Sequence, residues 1–182
     1  MNNLTQELAH ALGENNVLRH EDIGEKYHSD WSGASPMSPL AVCRPRSTEE
    51  LSEIMVLCQK YNQPVVVQGG LTGLAGGATP QVNELAISLE RMNSVEEIDE
   101  VNMTMTALAG TPLQRMQEAA LDSDLFLPID LAARGSCTIG GNISTNAGGT
   151  EVIRYGMTRS SVLGLEAVLA DGTVLSAMNK MI

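Results

Sequence analysis

Basic side chains are scarce in this 182-residue chain: 11 Lys and Arg stand against 22 Asp and Glu, a net charge of −11. Such a balance repels phosphodiester backbones and anionic bilayers, which excludes nucleic acid and charged membrane surfaces as partners. A dianionic cofactor stays compatible, because screening beyond about 8 Å leaves local N–H groups and nearby arginines in control of a small site. Paired cysteines are absent as well. Cys43, Cys58 and Cys137 are odd in number and show no paired spacing, which excludes a disulfide framework and implies a reducing compartment. No apolar run approaches the roughly 20 residues of a membrane span, and the N-terminus lacks the basic-then-apolar layout of a secretory leader, so the cytoplasm is the expected location. His10, His20 and His28 lie scattered among polar residues without a second ligand type at metal spacing, and no metal site is expected.

What is present is glycine, gathered in two stretches. The first, Pro64 to Ala78, reads PVVVQGGLTGLAGGA: a β-branched run ends at Gln68 and is followed by Gly69, Gly70, Gly73, Gly76 and Gly77. This is a strand feeding a glycine loop. Each glycine costs roughly 0.5–1 kcal/mol against alanine in a regular element, so the cluster implies that the backbone itself must approach something closely. An anionic ligand suits it, since a backbone without Cβ atoms can turn several N–H groups around phosphate oxygens, and Thr72 adds a hydroxyl. Leu71 and Leu74 break the G-x-G-x-x-G spacing and no Gly-Lys-Ser/Thr ending follows, so neither a Rossmann fingerprint nor a P-loop is present. A glycine-rich surface turn is the plain alternative.

The second stretch, Arg134 to Gly149, reads RGSCTIGGNISTNAGG. Gly135, Gly140, Gly141, Gly148 and Gly149 are interleaved with Ser136, Thr138, Asn142, Ser144, Thr145 and Asn146, a combination suited to a hydrogen-bonding wall. Thr138 is placed to N-cap a short helix whose first-turn N–H groups face a phosphate or an electron-rich ring. Arg134 and Arg154 flank this wall and are candidates for a phosphate or carboxylate, with ordinary surface arginines as the alternative. Cys137 reads as a small neutral wall residue.

Between these stretches the periodicity alternates between strand and helix. Leu4, Leu8, Ala11 and Leu12 recur at helical spacing before Gly13. Leu40–Cys43 is a short buried-type strand, and Leu51, Ile54, Met55 and Cys58 share a helical face behind Thr48 as the N-cap. Val65–Val67 and Leu85–Leu89 complete a parallel βαβ lobe. Beyond Ser94, two alternating strands, a helix opened by Pro112 and a hairpin with a two-residue turn at Asp171-Gly172 form a second lobe. The expected fold class is α+β, with a lead-in over residues 1–39, a first lobe over 40–93 and a second, mainly antiparallel lobe over 94–182.

The paired stretches, with Leu127-Pro128-Ile129-Asp130 ahead of the second and Arg154-Tyr155-Gly156 after it, resemble the PCMH-type FAD-binding domain of the vanillyl-alcohol-oxidase flavoprotein superfamily. The likeness runs from about Asp30 to the last residue and is nearest to the D-lactate and D-2-hydroxyglutarate dehydrogenase branch. It implies noncovalent FAD as cofactor, with neither His nor Cys in the first loop to tether it. It also implies cofactor contacts from Gln68 through Leu74, from Gly76, Gly77, Met92, Pro128 and Asp130, and from Gly135, Ser136, Cys137, Gly140, Gly141, Asn142, Thr145, Asn146, Gly148 and Arg154. Leu71 departs from the branch, whose loop reads Gly-Gly-Asn-Thr-Gly. The implied reaction is oxidation of a D-2-hydroxy acid of the lactate, 2-hydroxyglutarate or glycolate type to the 2-oxo acid, with electrons passed to an unidentified acceptor. The resemblance further implies an N-terminal fragment, whose substrate arginine, metal-ligating histidines and catalytic base lie beyond Ile182; no catalytic residue is expected here. A same-fold flavoenzyme of other chemistry, such as an alcohol oxidase or a cell-wall precursor reductase, and a non-catalytic binding module are the alternatives.

Overall fold

The structure, a computed structural model, describes residues 3–178. The chain forms two units: one holds the residues up to Gln68, Gly73–Arg91 and the C-terminal hairpin, the other Gly69–Thr72 and Met92–Val162. The first glycine stretch is thus divided between them.

In the first unit, β2 (Val42–Cys43), β4 (Leu85–Ser88) and β3 (Val65–Gln68) run parallel in that spatial order, and β1 (Val17–Leu18) pairs antiparallel with β2. All four residues of β4 are buried, as a strand with parallel neighbours on both sides requires. β3 is an edge strand, and there the side chains alternate: Val66 is buried, Val67 is 53% exposed and Gln68 is fully buried. The expected β2–helix–β3 crossover is present, but β4 inserts between its two strands.

Helix α1 (Asn3–Leu12) buries Leu4, Leu8 and Leu12 and stops at Gly13, whose φ of +87° few side chains tolerate. Helix α2 (Thr48–Lys60) is capped by Ser47, not by Thr48. The Ser47 hydroxyl accepts the Glu50 N–H at 3.3 Å while the Glu50 carboxylate accepts the Arg46 N–H at 2.7 Å, so Ser-x-x-Glu one residue earlier closes a capping box on its upstream neighbour. The core joins Ile23, Tyr27, Val42, Val66 and Ala86. Burying each large aliphatic side chain stabilises the unit by about 1.5–3 kcal/mol.

The second unit has an antiparallel pair, β5 (Val95–Asp99) and β6 (Thr104–Ala107), with α3 (Leu113–Asp122), α4 (Ile139–Ser144) and α5 (Val152–Tyr155). Its core is Leu113, Met116, Ile129, Cys137 and Ile139. Pro112 stands at the N-cap of α3 instead of inside its first turn. It also lies opposite Thr138 in a short antiparallel bridge, where Leu113 N–H donates to Cys137 O and Ile139 N–H to Thr111 O, both at 3.0 Å. Proline has no N–H, and this non-bonded position of the bridge asks for none. The bridge fixes the second glycine stretch to the start of α3.

The hairpin β7 (Glu166–Val168) and β8 (Val174–Ser176), expected with residues 94–162, groups with the first unit. Polar contacts to α2 explain this: the Ser52 hydroxyl donates to Gly172 O at 2.6 Å and the Thr48 hydroxyl to Glu166 Oε1 at 2.7 Å. Its turn is also longer than two residues. Leu169 N–H donates to Thr173 O, so Ala170–Gly172 form a three-residue loop with Gly172 at φ +85°. A Cβ on Gly172 would meet Val56 Cγ2 and the Ser52 carbonyl inside van der Waals contact. Gly172→Ala therefore loses about 1–2 kcal/mol from backbone handedness alone, more from the clash with α2, and urea unfolding followed by circular dichroism measures the loss.

Candidate functional site

Within the second unit, Gly69 and Gly70 lie directly on the residues that open the second glycine stretch. A Cβ on Gly70 would overlap the Ser136 carbonyl and come within 2.9 Å of Cys137 Cα, and one on Gly69 would overlap the Thr138 hydroxyl. Two segments more than sixty residues apart in sequence therefore cross backbone to backbone. Gly140 serves the same purpose one turn on: its N–H donates to Ala109 O at 2.8 Å, and a Cβ there would sit 2.8 Å from Ala109 Cβ. At Gly149 the φ of +137° and the Asp130 carbonyl beneath it leave no room for a side chain.

The crossing concentrates hydrogen-bond donors. Among the described residues, the N–H groups of Gly69, Gly70, Leu71, Thr72, Thr138 and Gly141 have no protein acceptor. Leu71 has φ +57°, a handedness that helps turn neighbouring amides toward one side. Thr138 occupies the N-cap position of α4, but its side chain caps nothing: Oγ1 is buried without a partner. An unsatisfied buried hydroxyl costs about 1–3 kcal/mol. Donors without acceptors, with glycines clearing the space between them, can hold oxygens of an anion.

The other expected residues are placed as follows. Cys137 is buried, Asn142 Nδ2 donates to its Sγ at 3.6 Å, and burial, outweighing that bond, pushes the thiol up and keeps it neutral. Asn142 is buried beside it. The Thr145 hydroxyl donates back to Gly141 O at 2.9 Å, and Asn146 Oδ1 accepts the Arg159 N–H at 2.9 Å. Gly135 and Ser136 are exposed, Pro128 is half-buried, and Gly148 packs near Met157 and Val152. Asp130 is tied to its own unit by the Thr150 hydroxyl at 2.9 Å and by Arg134 at 3.6 Å. Arg154 is exposed over the Tyr155 ring. Met92 is a core residue whose carbonyl accepts Gly110 N–H.

Gln68, Gly73, Leu74, Gly76 and Gly77 belong to the first unit. Gln68 is committed there, its amide donating to Tyr27 O and Ala78 O at 2.9 Å each. Asp30, 5% exposed, organises the rest of the loop: Oδ1 accepts the Ser32 N–H and hydroxyl at 3.0 and 2.5 Å, while its own N–H reaches Thr79 Oγ1 at 3.2 Å and Ser32 N–H also lies 3.1 Å from Gly73 O. Burial alone would raise the Asp30 carboxyl. The Ser32 hydroxyl and amide, with weaker help from the amides of Ala78 and Gly76, hold it below the usual value instead. Asp30 is not a site residue by sequence reasoning, since an acid in a polar lead-in carries no signal that sets it apart; Thr138 enters that reasoning as a member of the polar wall and as an N-cap, and the capping bond is not made.

The model of the FAD binding domain family matches residues 39–177. The chain belongs to this family. It is 44% identical over 170 residues to a probable mitochondrial D-2-hydroxyglutarate dehydrogenase of Oryza sativa subsp. indica, covering 93% of this chain and 30% of that protein. It is also 44% identical over 158 residues to a D-2-hydroxyglutarate dehydrogenase of Xanthomonas citri pv. viticola, covering 87% and 34%. The chain thus spans about a third of the length of these relatives. Among solved structures it superposes on an alkyldihydroxyacetonephosphate synthase with a TM-score of 0.89 at 19% identity, over 98% of this chain and 35% of that one, a likeness of fold.

FAD is the cofactor of the family, and the crossing fits it: unpaired amides and a buried unpaired hydroxyl suit a pyrophosphate, and the glycines admit it. Gly70→Ala, whose Cβ would strike the Ser136 carbonyl, abolishes FAD uptake in fluorescence titration. Gly24→Ala, outside the expected cofactor contacts and with nothing within 4 Å of the new methyl, leaves uptake unchanged. The lowered Asp30 carboxyl adds stability that is fully present above the unfolded value near pH 4 and is lost as pH falls through the folded one. The stability difference between wild type and Asp30→Asn, measured by urea unfolding, is therefore constant above about pH 5 and shrinks below about pH 4.

Proposed function

We propose that this chain is the FAD-binding part of a flavin-dependent dehydrogenase that oxidises a D-2-hydroxy acid of the 2-hydroxyglutarate kind to the 2-oxo acid. The observation that carries the reading is the crossing of Gly69-Gly70 on Ser136-Thr138, a donor-rich backbone site in a chain whose plant and bacterial relatives bear that enzyme's name. Lactate is the second substrate of choice.

In this reading the amides of Gly69–Thr72, Thr138 and Gly141 receive the pyrophosphate oxygens, while α4 and the bridge to Pro112 keep those donors in place without rearrangement. FAD, when bound, supplies the acceptor for the hydride released from the substrate's α-carbon. Cys137 contributes a neutral wall. Its buried, raised thiol is a poor nucleophile, which supports a noncovalent cofactor. Asp30 keeps the Gly73–Thr79 loop of the first unit in one shape. The electron acceptor and the catalytic base are assigned to no residue of this chain.

Titration of the chain with FAD, followed by flavin fluorescence and released again by denaturant, tests the cofactor. In the parent protein, anaerobic D-2-hydroxyglutarate bleaches the flavin absorbance near the visible maximum, whereas this chain, loaded with FAD, shows no bleaching. A parent flavin that responds to neither D-2-hydroxyglutarate nor D-lactate removes the substrate assignment, and turnover by this chain alone removes the division of labour.

A further inference from the structure

Aromatic side chains are few in this chain, and its single phenylalanine lies at the surface. Phe126 is 60% exposed, Leu121 near the end of α3 is 63% exposed, and the Phe126 ring lies 5.8 Å from that of Tyr155, itself exposed. Leu121, Phe126 and Leu127 form the apolar side of a cavity of about 280 Å³ within the second unit, whose other side is Gln117, the Asp130–Arg134 pair and Glu151. Exposed apolar side chains gathered around a concavity and rimmed by polar groups mark an interaction site. The rim gives the sign of the partner. Glu151, the last α3 residue Asp122, and Asp124 just past the C-cap have carboxylates without a hydrogen-bond or ion-pair partner among the described residues. Asp122 and Asp124 stand at the negative end of the helix dipole, where acids are disfavoured. Asp124 also has φ +56°, at the position after the cap that commonly takes glycine. Helix stability alone would place a cation and a glycine there.

We propose that this face of the second unit docks a basic protein partner, whose apolar side chain enters the cavity against Phe126 and Leu121 while its lysines or arginines meet Asp122, Asp124 and Glu151. The net charge of −11 adds long-range attraction for such a partner. Aromatic rings beside acids suit a cationic surface in particular, and the Tyr155 ring already carries the Arg154 guanidinium at 5.2 Å. The apolar contacts supply affinity, while the acids supply orientation and rate of encounter. This surface is independent of the flavin reading, because Leu121, Asp122, Asp124 and Phe126 are not among the expected cofactor contacts.

The test uses the whole 182-residue chain and, as probe, a fluorescein-labelled helical peptide built of leucine and lysine, with binding followed by fluorescence anisotropy. The wild-type chain binds it, and binds a leucine–glutamate peptide of the same pattern at least about tenfold more weakly. Leu121→Ala with Phe126→Ala weakens binding of the lysine peptide about tenfold at unchanged charge. Both side chains being exposed, the melting temperature stays that of wild type. Asp122→Asn with Asp124→Asn weakens binding about threefold. Glu96→Gln with Glu100→Gln, which removes the same charge from exposed positions elsewhere in the unit, leaves the affinity unchanged. The inference is overturned if the wild-type chain does not bind the lysine peptide, if the apolar double variant binds it as tightly as wild type, or if the two acid pairs weaken it equally. Self-association of the chain through Phe126 in sedimentation also overturns it, since a second copy is then the occupant. So does a parent protein that fails to bind the peptide, which places the face inside the parent's own fold.

Discussion

One contact constrains the second unit: the backbone at Gly70 lies on the Ser136 carbonyl with no space for a methyl group between them. No side chain can mediate that contact, so both segments must arrive in fixed conformations. Within that unit the Pro112–Thr138 bridge and the Gly140–Ala109 hydrogen bond hold the start of α4. The apolar core of Leu113, Met116, Ile129, Cys137 and Ile139 lies beneath that bridge and turns hydrophobic burial into backbone position. Precision at the site is thus borrowed from packing that contains none of the site's polar groups.

The parts of this arrangement that were legible in the sequence are those with a local cause. β3, β4, α3 and α4 follow from runs and periodicity that tertiary contacts reinforce, and the two glycine stretches announce close backbone approach because few other requirements favour so many glycines. What was not legible depends on distance in sequence. β4 inserting between β2 and β3, and the hairpin docking on α2 through Ser52 and Thr48, are choices among pairings that local pattern does not rank. The cap of α2 moved from Thr48 to Ser47 because two adjacent hydroxyls satisfy the same local rule and Glu50 decides between them. The role of Asp30, and the unpaired state of the Thr138 hydroxyl, escaped for a related reason. The significance of each lies in what surrounds it in space: Ser32 and Thr79 for the acid, Gly69 and Gly141 for the hydroxyl.

Leu71 shows how the site distributes its demands. At φ +57° a leucine costs about 1–2 kcal/mol relative to a right-handed conformation, so selection for stability alone would not place it there. The same handedness helps gather the loop's amides, and the main chain performs the polar work whatever the side chain is. A loop that binds through its backbone can therefore lose a polar side chain at this position and keep its function, provided that neighbouring donors stay in place.

Those donors are the remaining cost. The buried Thr138 hydroxyl, held without a protein partner, opposes folding in the ligand-free chain, and at about 1–3 kcal/mol it is a sizeable share of a typical net stability of about 5–15 kcal/mol. The chain tolerates this because Thr138 sits at the start of α4, an element fixed by other means: the bridge to Pro112 and the Gly140–Ala109 hydrogen bond. A binding partner then meets a site already ordered, and its binding free energy is not reduced by ordering that site. Ligand-free instability and ligand affinity are, on this account, two consequences of the same unpaired donors, and a substitution that relieves one must weaken the other.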